Sequence, residues 1–121
     1  MTWRYSQATG KLEHDGQYVA TGYSGHGAGV DNPAMQYVAG VGPIPCGRYS
    51  IGEPHDSAHV GPFAMDLTPM PGTDTHGRSA FLMHGDNASV NHTASHGCLV
   101  FMRPTRTLVA RSGDATLEVM P

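Results

Sequence analysis

A chain of 121 residues that is 39% apolar and 14% charged fits one ordinary hydrophobic core, which excludes a disordered segment and makes a second domain unexpected; residues 1–121 read as a single domain. The formal charge of −3, with seven basic residues that form no run, gives no general attraction to nucleic acid. No apolar run approaches the length of a membrane span, and the amino terminus has no basic segment followed by an apolar one, so neither membrane insertion nor classical secretion is expected.

Sixteen glycines and nine prolines are scattered between short apolar runs, as turns in a β-rich fold would be. Trp3 to Gln7, Lys11 to His14 and Gln17 to Thr21 are separated by Ala-Thr-Gly and Asp15-Gly16, the pattern of an opening β-meander. Gly22 to Pro33 reads as a long polar loop able to line a groove, and Ala34 to Ala39 as a helical turn or two after Pro33. Further strands are expected near residues 47–51, 63–67, 80–84, 99–101 and 115–120. Residues 104–111 read as a helix with Pro104 in its first turn and Gly113 just past its end.

The chemistry concentrates at Ser95-His96-Gly97-Cys98-Leu99, which follows a His84-Gly85 pair. A cysteine near its usual pKa of about 8.5 is only slightly ionised at neutral pH, so a nucleophilic thiol needs a base beside it. His84 and His96 are the nearest candidates. Gly97 permits a sharp turn, and the amides of Gly97 and Cys98 are candidate donors to an oxyanion. The non-catalytic alternative makes Cys98 a small buried strand residue. Cys46, between Pro45 and Gly47, reads as a turn residue and need not lie near Cys98. The partner that holds the base's other ring nitrogen is either Asp86 or a backbone carbonyl. A rival zinc site would draw on His76, His84, His92, His96 and Cys98, but the polar stretch 87–97 disfavours the helix it needs and no His-Glu-x-x-His string is present. No metal or other cofactor is expected.

A histidine followed, after a spacer, by Ser-His-Gly-Cys and an apolar residue resembles the L,D-transpeptidases of the YkuD-like superfamily. Gly22-Tyr23-Ser24-Gly25, Asn32-Pro33 and Gly42-Pro43-Ile44-Pro45, with Gly47, Tyr49 and Ile51, extend the likeness from about Trp3 to about Val119. They resemble its compact branch, the peptidoglycan-attacking effectors of type VI secretion systems. The resemblance implies a mainly β, sandwich-like domain with one or two short helices, in which His84 is the base for Cys98 and His96 shapes the turn and lends its amide. It also implies L,D-carboxypeptidase or transpeptidase chemistry at the meso-diaminopimelate–D-alanine bond of tetrapeptide stems. Action in a target cell's periplasm, export without a classical signal peptide and a cognate immunity protein follow from the same likeness.

Two departures stand out. Only ten residues separate His84 from Ser95, and Val100 occupies a place where Asn or Arg is usual. Arg103 or Arg106 could reach the same place as a contact for the substrate carboxylate, with Tyr23, Ser24 and Ser95 as further binding candidates. The alternatives from other classes are a cysteine amidase or endopeptidase on the same polymer and a non-catalytic wall-binding module.

Overall fold

A computed structural model describes residues 2–86, 95 and 97–121. Its strands are β1 (Trp3–Ser6), β2 (Lys11–His14), β3 (Gln17–Thr21), β4 (Tyr23–Ser24), β5 (Gly47–Ile51), β6 (His55–Ser57), β7 (Gly61–Pro69), β8 (Phe81–His84), β9 (Leu99–Val100) and β10 (Thr116–Met120), with one α-helix, α1 (Arg103–Arg111). The expected mainly β architecture is present, built as one sheet in the order β3-β2-β1-β10-β5-β7-β8-β9-β4, with β6 paired to β7.

The two ends of that order, β3 and β4, are separated in sequence by Gly22 alone. The sheet therefore curls until its edges nearly meet. Gly22 donates its N–H to the Gly10 carbonyl (2.8 Å), and a Cβ at Gly22 would stand 2.1 Å from the Val100 carbonyl oxygen. Only glycine lets the chain cross this tightly. Inside the curl, Tyr5, Leu12, Tyr49, Met65, Met83 and Leu117 are fully buried in one cluster. Those residues come from six strands, so one sheet supplies both layers expected of a sandwich.

The helix forms where Pro104 sits in the first turn and closes against this core through Val109, with Gly113 (φ 75°) in the turn beyond it. Three differences from the sequence expectations have local causes. Helical structure after Pro33 is limited to the single 3₁₀ turn Pro33–Met35, capped by the Asn32 side chain accepting from the Ala34 N–H. The polar strand β6 lacks hydrophobic alternation and forms by pairing with β7. Finally, β1 joins the meander on one side and pairs in parallel with β10 on the other, a contact between chain ends that no local pattern announces.

Candidate active site

Strands β8 and β9 run parallel, with Met83 opposite Leu99 and His84 opposite Val100. Phe81, Met83, Leu99 and Phe101 face the core. By alternation, Leu82, His84 and Val100 face the other way, and Cys98, one residue before β9, continues that set beside Leu82. His84 is thus displaced by two residues from Cys98 across adjacent strands. With neighbouring strands about 4.8 Å apart and a rise of about 3.3 Å per residue, that offset sets the two backbone positions roughly 8 Å apart on one face. Tyr23, paired with Val100 through β4, flanks the same face.

His84 is buried, and its Nδ1 lies 2.7 Å from the Gly85 carbonyl oxygen. A carbonyl only accepts, so Nδ1 carries the hydrogen and Nε2 is the basic nitrogen of the neutral ring. Of the two orienting groups weighed from sequence, the backbone carbonyl of Gly85 is the one in place. Asp86 instead accepts a 2.6 Å hydrogen bond from the Tyr23 hydroxyl.

The turn before the thiol is organised by Ser95. Its fully buried hydroxyl donates to the Cys98 carbonyl (2.7 Å) and accepts from the N–H groups of Gly97 (3.1 Å) and Gly25 (3.0 Å). One donor and two acceptor positions are all that a serine has. Ser95, expected as a substrate contact, therefore has its hydroxyl committed to positioning the turn. The same bond occupies the Gly97 N–H, leaving the Cys98 N–H of the amide pair suggested for an oxyanion. Gly97 matters through its conformation: its φ is +129°, and an added Cβ would stand 2.3 Å from Nη2 of Arg78.

Cys98 Sγ lies 3.8 Å from the carbonyl oxygen of Ala80, a residue held in the left-handed region (φ 64°). Such a conformation costs energy outside glycine and often marks a functional site. Burial pushes the thiol pKa above its ordinary value, while a hydrogen bond from the Leu82 backbone and the charge of Arg78 pull the other way. Burial dominates, so the resting group is a thiol that needs a base. Both cysteines are free. Cys46 is held away from this turn by its N–H on Gln36 Oε1 (2.9 Å) and its sulfur on Gln7 Oε1 (3.3 Å).

A cleft of about 400 Å³ opens at Cys98, lined also by Ala39, Gly40, Gly97 and the run from Gly77 to Phe81. Arg78, in that run, was not singled out from sequence. A second cleft of about 280 Å³ includes Tyr23, Asp86, Val100 and Met102.

Other expected contacts fall elsewhere. Ser24, expected as a binding residue, is buried, its hydroxyl accepting from the Ile44 N–H (2.8 Å), so it anchors the Gly42–Pro45 segment. Arg103 stacks its guanidinium 4.2 Å from the Phe63 ring centre and lines neither cleft. Arg106 is buried against the carbonyls of Phe101 (3.0 Å), Pro62 (2.9 Å) and Phe63 (2.7 Å) and is a structural tie. His96 and His92 lie outside the described residues, and with them His96's suggested amide. Among the described residues no three His, Cys, Asp or Glu side chains converge on one point.

A family model described as the Tlde1 domain matches residues 18–119. No curated protein matches the chain.

Proposed function

Because the chain belongs to the Tlde1 domain family, type VI secretion effectors that modify peptidoglycan, we propose that it is a cysteine L,D-carboxypeptidase that can also exchange the terminal residue, acting on tetrapeptide stems. His84 Nε2 takes the thiol proton of Cys98 as Sγ attacks the carbonyl of the L-centre of meso-diaminopimelate. The resulting oxyanion collapses to a thioester, the amide C–N bond breaks, and His84 returns the proton to the leaving D-alanine amine. Water then attacks the thioester and releases a tripeptide; a D-amino acid attacking instead gives exchange.

The observation that carries this reading is the shared sheet face of His84 and Cys98, with Nδ1 of His84 held by Gly85 and Cys98 at the wall of a cleft. A raised thiol pKa favours the neutral thiol–imidazole pair over a preformed ion pair. The substrate lies in the periplasm of a target cell, so the protein is harmful there and a cognate immunity protein protects the producer by covering the cleft.

The test is directed expression with single substitutions. Periplasmic wild-type protein is expected to stop growth, Cys98→Ala and His84→Ala to be harmless, and Cys46→Ala to stay toxic. Chelators should leave the purified enzyme unaffected. Toxicity of Cys98→Ala, or activity lost in EDTA and restored by zinc, overturns the thioester mechanism.

A further inference from the structure

Arg78 is only 8% exposed. Its ties to the protein are to neutral groups: Nη1 donates to the carbonyls of Gln36 and Pro43, and Nη2 to that of Gly42 (3.0 Å). Phe81 lies beneath it, 5.7 Å from the guanidinium carbon to the ring centre. Among the described residues no carboxylate pairs with it. A cation withdrawn from water without an anion is costly, and that cost is offset when an anion arrives.

Arginine has five N–H donors. Both on Nη1 and one on Nη2 are used, which leaves the Nε–H and the second Nη2–H. These two share the side edge of the planar group, the edge that a carboxylate bridges with two parallel bonds. The same residue lines the cleft of Cys98, and Nη2 packs where a Gly97 side chain would be. Glycine before the nucleophile thus admits the cation to within one residue of the reacting sulfur.

We infer that Arg78 is the specificity-determining residue of this site, its Nε–Nη2 edge binding the terminal carboxylate of the peptide whose last amide Cys98 attacks; this rests on the function proposed above. In such a peptide the carboxylate lies one residue, at most about 3.6 Å of chain, beyond the scissile carbonyl. It takes the place that Arg103 or Arg106 was expected to fill. A stem extended by a further residue would carry its carboxylate past this edge.

The experiment compares kcat/KM for a synthetic tetrapeptide stem with a free terminal carboxylate and for the same peptide ending in a carboxamide. Wild-type protein is expected to prefer the free acid by about tenfold or more, the range of a hydrogen-bonded charge pair. In Arg78→Gln that ratio should fall to near one, chiefly through loss on the free acid, and Arg78→Lys should be intermediate because it keeps the charge without the fork. Since Arg78 also ties the Gln36–Pro43 carbonyls, melting curves accompany each variant; if Arg78→Gln is unfolded, the fall in ratio is read from Arg78→Lys. Equal cleavage of both peptides by the wild type, or an Arg78 variant that slows both alike at an unchanged ratio, overturns the assignment while leaving the L,D-carboxypeptidase reading intact. Cleavage of neither peptide overturns that reading and this inference together.

Discussion

Replacing Ser95 by alanine removes one hydroxyl and three hydrogen bonds. The Gly25 and Gly97 N–H groups lose their partner in a buried place and the Cys98 carbonyl loses its partner in a part-buried one. An unmatched buried polar group costs about 1–3 kcal/mol; with some relaxation of the turn, the three together should cost about 3 kcal/mol. Ser24→Ala is the control of equal chemistry, since it strands a single donor, the Ile44 N–H, at about 1 kcal/mol. For a domain of this size 1 kcal/mol moves Tm by roughly 4 °C, so Ser95→Ala is expected to melt about 12 °C lower than wild type and Ser24→Ala about 4 °C lower. Thermal unfolding followed by circular dichroism reads both. Because the lost bonds hold the backbone on either side of the thiol, Ser95→Ala should also lose most of its turnover at temperatures where it is folded. A Ser95→Ala variant no less stable than Ser24→Ala, with normal turnover, would refute the view that this hydroxyl organises the nucleophile turn.

Gly97→Ala faces both a φ of +129° and a Cβ contact 2.3 Å from Arg78 Nη2; a stability loss above about 2 kcal/mol and loss of turnover are expected, checked by urea unfolding and stem-peptide cleavage. Burial raises the Cys98 pKa, so the thiolate population falls as pH drops through a value above the ordinary 8.5 or so. Alkylation by iodoacetamide should therefore have its midpoint on the alkaline side of that value, and a midpoint near 6 would mean a preformed ion pair instead. Asp86→Asn keeps an acceptor for the Tyr23 hydroxyl and leaves the His84–Gly85 bond untouched; activity should stay within about threefold, whereas a fall beyond about a hundredfold would return the orienting role to Asp86.

The strands and the helix were legible wherever a periodic apolar pattern met strong punctuation. Pro104 and Gly113 bracket α1, and Phe81 and Met83 alternate with Leu82 and His84 along β8. That alternation also puts His84 and the Cys98 turn on one face, once β8 and β9 are known to be neighbours. What stayed hidden depends on long-range partners. The β1–β10 pairing joins chain ends, and a short polar strand such as β6 exists only because β7 is beside it. Side-chain roles were harder still. Arg78, Arg103 and Arg106 are alike as letters; one enters the cleft, one stacks on Phe63 and one ties down three carbonyls. The signal that could have pointed to Arg78 is indirect: Gly97, read as permitting a sharp turn, also makes room for a guanidinium, whose carbonyl partners include Gly42 and Pro43 of the segment already singled out. The internal bonds of Ser95 and Ser24 were hidden for a related reason, since a hydroxyl in a motif gives no hint of whether its bonds are spent inside the chain.

The central claim, that Cys98 cleaves the amide between meso-diaminopimelate and a terminal D-alanine, is tested most directly by mass spectrometry of purified tetrapeptide muropeptides incubated with wild-type protein and with Cys98→Ala. Wild-type protein should convert them to tripeptides lighter by one alanine residue, or exchange that alanine for a supplied D-amino acid, and Cys98→Ala should leave them unchanged. Tetrapeptides that emerge intact while glycan–peptide amides or cross-bridges are cut would contradict the account and assign the cysteine to amidase or endopeptidase chemistry.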